Sequence, residues 1–221
     1  HYKQTDYDAR TGNQLKAVPE GEMASVRLGN WNVGAEAESV SYDYIVDTLD
    51  GALLLLNYAV VMEDPQHEIQ EQPRFVLDIT EGGKSLQYNC GDAYFAAGHD
   101  MDSTWHQYTS FSGVNLWWKE WTTVGINLAQ YHGRSLRIRL TTYDCTAGGH
   151  FGYAYFTLGC SRGKIEGLSC GDSPKNEFKG PDGFKCRWYL PSDPTNILET
   201  EQILTVDASD TLTYYLDVIQ P

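Results

Sequence analysis

The sequence contains no apolar run long enough to span a membrane as a helix. Its longest apolar run, residues 52–61, is far shorter than a span needs and is interrupted by Asn57 and Tyr58. No extended stretch has the 3.6-residue spacing of apolar positions that amphipathic helices show. Basic residues are also scarce: 16 Lys and Arg stand against 30 Asp and Glu, a formal net charge of −14. Because the apolar runs are short, we expect no membrane insertion. Because nucleic acids are negatively charged like this chain, we expect no nucleic-acid partner.

The usual sequence signatures of catalysis are missing as well. There is no G-x-S-x-G or H-E-x-x-H motif, no P-loop and no dinucleotide-binding fingerprint. Carboxylates are so numerous that their spacing does not single out a glycosidase pair. We therefore predict a protein that is not an enzyme.

The five cysteines include no C-x-x-C pair, which argues against a zinc ribbon or a thioredoxin-type site. A disulfide in an extracytoplasmic protein accounts for them better. Cys170 and Cys186 are the candidate pair because both lie in one small C-terminal unit. A loop of that length contributes about 3 kcal/mol in the chain-entropy model. Pairing of Cys90 with Cys145 or Cys160 is an open alternative.

The sequence is rich in Tyr, Trp, Thr and Val, residues that suit pleated surfaces. Leu136, Ile138 and Leu140 alternate with polar residues, which predicts a half-buried strand. The apolar run 52–61 predicts a central strand buried on both faces, and the E-G-G-K sequence at 81–84 predicts a hairpin turn. Residues 1–22 predict a polar lead-in, with one short edge strand as an open alternative. Further strands are predicted at residues 25–28, 41–46, 74–80, 85–90, 121–128 and 151–156.

The composition changes after Cys160, and this change predicts two domains in an all-β protein. We predict a jelly-roll-like β-sandwich over residues 1–160 and a minimal Ig-like β-sandwich over residues 161–221. The C-terminal sequence DTLTYYLDV resembles the immunoglobulin-type corner D-x-x-x-Y-x-C, with Tyr214 as the corner tyrosine and Trp188 as the core tryptophan. Leu216 stands where that pattern has its second cysteine, so the usual intersheet disulfide cannot form.

Four stretches carry a further resemblance: SVRLGN (25–30), NYAVVMEDPQH (57–67), QPRF (72–75) and DCTAGGHFGYAY (144–155). With them the first domain resembles, over most of its length, a module of large secreted surface proteins of Bacteroidetes-type bacteria, including gliding-motility and adhesin-like proteins. In those proteins the module is similar to carbohydrate-binding and adhesin jelly rolls and is followed by Ig-like repeats. The resemblance implies a cell-surface or secreted location and a binding or scaffolding role. It also fits our expectation that the chain is a fragment of a longer protein.

Aromatic side chains are the candidate ligand contacts, because exposed rings stack on the apolar faces of sugars. Trp105, in a long polar connection, is the first candidate, and Trp31, in a Gly/Asn loop, is the second. Tyr108 and Trp118 complete the candidate platform. Trp117 and Trp118 are adjacent and must point to opposite faces of a strand, so we expect one of them in the core. Burial of all these rings in sandwich packing is the alternative.

Asp100 and Asp102 form a D-x-D-S pattern, whose oxygen spacing occurs in calcium loops. The EF-hand pattern fails, so any calcium site has another geometry, and a solvated acidic loop is the alternative. Asp144 and His150 flank a glycine turn and can form a metal or acid–base pair. In the alternative they brace the loop through hydrogen bonds to the backbone. We expect a second acidic cluster to be solvated, namely Glu63, Asp64, His67 and Glu68.

These patterns predict a non-enzymatic cell-surface or secreted binding module, part of an adhesin, with a glycan or a host or cell-surface protein as its partner. Calcium is the one cofactor the sequence raises. Two alternatives remain open: a structural spacer whose aromatic residues are all buried, and an accessory fragment of a carbohydrate-active enzyme.

Overall fold

The computed structural model describes residues 2–47, 49, 51–86, 94–99, 101–109, 113, 115–161, 165–168, 173–181 and 184–219. The protein is nearly all β, as predicted, with two short 3-10 helices at Ala9–Thr11 and Ala129–Tyr131. None of the helices in these ranges has the length and apolar character to cross a membrane. The strands are β1 (Val26–Leu28), β2 (Ala37–Ile45), β3 (Leu53–Glu63), β4 (Arg74–Glu81), β5 (Lys84–Ser85), β6 (Tyr94–Ala96), β7 (Trp105–Thr109), β8 (Asn115–Asn127), β9 (Ser135–Tyr143), β10 (Gly152–Ser161), β11 (Glu166–Gly167), β12 (Lys175–Lys179), β13 (Lys185–Leu190), β14 (Asp193–Glu199), β15 (Ile203–Asp207) and β16 (Tyr215–Ile219).

Strands β1–β10 form two antiparallel sheets that face each other. The first, which we name the covered sheet, has the order β1-β10-β3-β8-β7. The second, the open sheet, has the order β2-β9-β4-β5, and β6 also pairs with β4. The chain crosses repeatedly between them: β1 and β3 lie in the covered sheet, whereas β2 and β4 lie in the open sheet. Such crossings explain why most sheet neighbours are distant in sequence.

The core between the sheets follows the apolar patterns of the sequence. Leu136, Ile138 and Leu140 of β9 point inward and are buried, so the predicted alternation is confirmed. In β3 every residue from Tyr58 to Met62 is buried. The central strand is thus buried on both faces over this half, as the apolar run predicted.

The predicted hairpin at residues 81–84 is also confirmed, with Glu81 paired opposite Lys84. Gly82 and Gly83 have φ angles of 55° and 82°, in the left-handed region that glycine adopts without steric cost. The predicted return strand begins as β5. Most of its remainder, residues 87–93, lies outside the described residues.

Residues 2–25, which we name the N-terminal cover, lie across the outer face of the covered sheet. Leu15 and Ala17 pack there against Val61 and Trp118. The indole N–H of Trp121 donates a 2.8 Å hydrogen bond to a backbone carbonyl of the cover, at Lys16. The expected lead-in therefore packs on the sandwich, because a few apolar residues in this segment cover part of the outer face of the covered sheet.

A buried carboxylate, Asp8, fastens the N-terminal cover to the sheet. Asp8 is 3% exposed and accepts hydrogen bonds from the hydroxyls of Tyr153 and Tyr155, both at 2.8 Å. It also accepts from the amides of Arg10 at 2.8 Å and Thr11 at 3.0 Å, and so caps the first 3-10 helix. Four donors therefore compensate the burial of one charge.

Strands β11–β16 form two smaller sheets, in the orders β11-β12-β15 and β14-β13-β16. Trp188 is buried at their centre, as predicted, with Cys186 and Leu204 beside it. The hydroxyl of Tyr214 donates to the carboxylate of Asp210, four residues upstream. This hydroxyl therefore bonds a side chain, whereas the tyrosine of an immunoglobulin corner bonds backbone.

Cys145, Cys160 and Cys186 are free thiols in the structure. Cys170, the predicted partner of Cys186, lies outside the described residues, as does Cys90. The part of the chain that the structure describes therefore contains no disulfide.

The role of Asp8 is testable by substitution. Asp8→Ala leaves two buried tyrosine hydroxyls and two amides without their acceptor, so we expect the free energy of unfolding to fall by about 2–4 kcal/mol. Urea denaturation measures this change. Asp6→Ala is the control, because the carboxylate of Asp6 accepts from the Lys3 amide at the exposed surface. We expect a loss of under about 1 kcal/mol there. Equal small losses in both variants would contradict the anchoring role.

Candidate functional site

The four predicted ligand aromatics differ sharply in exposure. Trp105 is 6% exposed and its ring packs edge-on against Phe95 in the core, with a centroid distance of 5.9 Å. The prediction that Trp105 is exposed was therefore wrong. Its segment is polar overall, but it forms β7, where Trp105 pairs opposite Lys119 and points inward between the sheets.

Trp117 and Trp118 point to opposite faces of β8, as predicted. Trp117 packs against the core between the sheets, whereas Trp118 lies on the outer face of the covered sheet. The N-terminal cover and the stacked ring of His106, with a centroid distance of 4.3 Å, bury Trp118. Tyr108, on the same face, is half-buried beside Gly12. Neither Trp118 nor Tyr108 offers the open ring face that the prediction required.

Trp31 remains 43% exposed, at the end of a loop that local contacts hold in place. Gly29 starts the loop with a φ of 83°, and a Cβ there would lie 2.8 Å from the carbonyl oxygen of Gly152. Asn30 accepts a hydrogen bond from the amide of Asn32 at 2.7 Å, an Asx turn. The Gly/Asn composition thus correctly predicted a loop that presents Trp31.

Two arginines lie beside Trp31, and we name the three residues Arg10, Arg27 and Trp31 the Trp31 cluster. The guanidinium carbon of Arg27 lies 4.3 Å from the Trp31 ring centroid, and that of Arg10 lies 5.5 Å from it. On the sheet, Arg27 also contacts the ring of Tyr153 at 5.5 Å, and Arg10 contacts that of Phe151 at 5.9 Å. The Arg27 guanidinium therefore lies between Trp31 and Tyr153 of β10. The Arg10 guanidinium lies between Trp31 and Phe151, the residue before β10.

The arginines of the Trp31 cluster are electrostatically unlike most others in the chain. Neither Arg10 nor Arg27 forms an ion pair with a carboxylate in the described ranges. The arginines that do so are Arg134, Arg137, Arg139 and Arg187. One terminal nitrogen of Arg27, Nη1, is buried and has no hydrogen-bond partner among the described residues. The cluster is thus a cationic site on an acidic protein, with one buried donor that has no partner among the described residues.

Of the two predicted calcium ligands, Asp102 alone lies among the described residues. Asp100 lies outside the described residues. The carboxylate of Asp102 accepts from the amide of Thr104 at 2.8 Å and pairs with the ammonium of Lys119 at 3.2 Å. The Thr104 side chain is the main cause of a lowered pKa of Asp102. Lys119 is itself buried, and its ammonium lies 5.5 Å from the Trp105 ring centroid, so Asp102 serves an ion pair here.

Asp144 braces the loop before β10, as the structural alternative predicted. Its carboxylate accepts from the amides of Gly152 at 3.2 Å and Glu36 at 3.4 Å. Burial raises the pKa of Asp144, and these two hydrogen bonds oppose that rise. Asp144 forms no acid–base pair with His150, whose ring contacts other partners.

His150 instead joins the stretches 57–67 and 144–155. Its Nδ1 lies 3.3 Å from the sulfur of Cys145, and its ring meets His67 edge-on at a centroid distance of 5.7 Å. The sulfur belongs to a fully buried residue, so a substrate cannot reach it without opening of the loop. No group of three or more His, Cys, Asp or Glu residues in the described ranges is arranged to hold a metal ion. The arrangement favours packing over catalysis.

The outer face of the open sheet is a second polar surface. Arg137 binds Asp43 through two hydrogen bonds of 2.7 and 2.9 Å, and Arg139 binds Asp78 at 3.0 Å. A shallow groove at one end is lined by Asp43, Thr80, Gly82, Gly83, Ser135 and Arg137. Because its arginines are already paired with carboxylates, this face has fewer free donors than the Trp31 cluster.

His150 gives a testable pH dependence. Burial is the main cause of its lowered pKa; the neighbouring His67 adds to this and Asp64 opposes it. The unfolded chain therefore binds the His150 proton more readily, and stability is lost as the pH falls below about 6.5. We expect the wild type to lose more unfolding free energy between pH 7 and pH 5 than His150→Asn does, measured by urea denaturation at each pH. Parallel pH curves for the two proteins would contradict this assignment.

Comparisons with known proteins leave the function to be argued from this geometry. No protein-family model, curated protein or solved structure matches the chain.

Proposed function

We propose that this chain is a non-enzymatic binding module of an extracytoplasmic, adhesin-like surface protein, and that it binds glycans at the Trp31 cluster. The observation that carries the proposal is the exposed indole of Trp31, held on a fixed loop beside two arginine side chains. An indole offers the apolar surface on which a sugar ring stacks, and guanidinium groups donate hydrogen bonds to sugar oxygens. Both kinds of contact are therefore available at one place.

The fixed loop favours affinity. The left-handed Gly29 and the Asx turn at Asn30 hold the loop before any ligand arrives. A preorganised site loses less conformational entropy on binding than a flexible one does.

The sheet orders are consistent with the jelly-roll and Ig-like units that the proposal assumes. The orders β1-β10-β3-β8 and β2-β9-β4-β5 alternate between two facing sheets, as strands of a double-sheet jelly roll do. Strands β11–β16 and the buried Trp188 support a minimal Ig-like unit after it. A surface protein that carries a binding module on such units matches this arrangement.

A structural spacer is the second candidate function, and one observation favours it. Trp105 and Trp118 are buried, so these two predicted ligand residues serve packing. In a spacer the contacts of Trp31 with Arg10 and Arg27 would only attach the loop to the sheet. Ligand binding decides between the two functions.

Glycan-array screening tests the proposal with the full chain and two variants. We expect Trp31→Ala to weaken binding at least tenfold, about 1.4 kcal/mol, because the stacking surface is lost. Tyr42→Ala is the matched control, since Tyr42 is 55% exposed on β2, outside the cluster. We expect the control to retain binding.

The same screen includes calcium in one arm and a chelator in the other. Binding at the Trp31 cluster should be equal in both. Loss of binding in chelator alone would move the site to the Asp100 and Asp102 loop. No binding by the wild type to any glycan in either arm would favour the spacer.

A further inference from the structure

We propose that the glycan bound at the Trp31 cluster is acidic, a saccharide that carries a carboxylate or sulfate group held by Arg10 and Arg27. This inference rests on the proposed function, because it names the class of glycan that the same site takes. It is carried by the charges and hydrogen-bonding state of the two arginines, which stacking on Trp31 alone does not explain.

Neither Arg10 nor Arg27 forms an ion pair with a carboxylate within the described part of the chain. The chain has a net charge of −14, so carboxylates are plentiful on its surface. Arg137 and Arg139 each pair with one on the open sheet. Arg10 and Arg27 instead lie beside a single indole. Two like charges beside one ring repel each other, and a bound anion would remove that repulsion.

Two carboxyl groups on the Arg10 side of the cluster, those of Asp8 and Glu63, accept hydrogen bonds from other groups. Asp8, two residues before Arg10, accepts from both tyrosine hydroxyls and two amides. Glu63 accepts from the amide of Phe151 at 3.4 Å. Burial is the main cause of a raised pKa of Glu63, and the nearby charge of Arg10 is one of the causes that oppose this rise. Glu63 is therefore electrostatically close to Arg10 but forms no ion pair with it, and Arg27 forms no ion pair with a carboxylate among the described residues.

The shape of the Arg27 side chain also suits an anion. Its Nη1 is buried without a hydrogen-bond partner among the described residues, so a ligand reaches this atom only after the side chain shifts. Arginine presents its N–H groups in a planar fork that matches two oxygens of a carboxylate or sulfate. Stacking against Trp31 and Tyr153 fixes the plane of this fork before binding.

The residues divide the recognition between them. Trp31 contacts the apolar face of a sugar whatever its charge, whereas Arg10 and Arg27 select for the anionic group. A neutral saccharide would make no charge-assisted hydrogen bond with the two guanidiniums and would bind more weakly. Of two saccharides that differ only in the charged group, the cluster therefore binds the acidic one more tightly than the neutral one.

Matched saccharide pairs test this inference without any variant. Sulfated oligosaccharides are compared with their desulfated forms, and uronate oligosaccharides with their carboxyl-reduced forms, by titration against the full chain at one salt concentration. We expect at least one acidic member to bind tenfold or more tightly than its neutral partner. Equal affinities across every pair would overturn the inference and leave glycan binding intact. Failure of both members of every pair, with no neutral glycan bound in the array, would overturn the proposed function as well.

Charge-neutral variants then locate the preference. We expect Arg10→Gln and Arg27→Gln each to reduce the acidic preference at least fivefold, with a change of less than twofold for the neutral partner. Trp31→Ala should weaken both partners alike. Arg139→Gln is the matched control, because Arg139 is an exposed arginine on the open sheet, and it should change nothing.

Two further readouts separate recognition from a merely structural role. Thermal unfolding shows whether each arginine variant is folded, and Arg27→Lys keeps the positive charge if Arg27→Gln unfolds. A lysine lacks the planar fork, so we expect it to retain only part of the preference. Full preference retained in both arginine variants would overturn the role of the cluster. Binding to acidic peptides with no binding to acidic saccharides would identify a protein ligand and would also overturn it.

Discussion

The buried carboxylate of Asp8 is the interaction on which the first ten strands depend most. It holds the N-terminal cover on the covered sheet through the hydroxyls of Tyr153 and Tyr155. Without the cover, the outer faces of β3, β8 and β10 would expose a large apolar surface to water. The same anchor positions Arg10, two residues later, over Phe151 and near Trp31. One charge buried for stability thus also places part of the candidate site.

The two sheets use charge differently. On the open sheet, arginines and aspartates alternate across strands and neutralise each other, as in the pairs Arg137–Asp43 and Arg139–Asp78. Exposed pairs of this kind contribute little to stability, but they keep the outer face of the open sheet charged and soluble. At the Trp31 cluster the positive charges stack on rings and remain unneutralised by carboxylates of the described chain. This contrast directs the functional proposal to the cluster.

Local patterns predicted much of the fold and part of the site. Alternation located β9, paired glycines located the β4–β5 hairpin, and composition located the Trp31 loop, because each depends on neighbouring residues. No local sequence pattern indicated which residues distant in the chain would contact each other. Nothing near Asp8 indicates that it meets Tyr153, 145 positions away. Trp105 was misplaced because the five residues of β7 are too few for their alternation to stand out in a polar segment.

The distance along the chain between Asp8 and its tyrosine partners limits when the N-terminal cover can dock. Closing a loop of that size costs conformational entropy, and contacts repay this cost only once β10 has paired with β3. During synthesis the cover is made first, yet its docking surface is completed only when residue 155 has emerged. The N-terminal cover therefore docks late, and the Trp31 cluster, which needs both Arg10 and β10, is among the last features of the first ten strands to form.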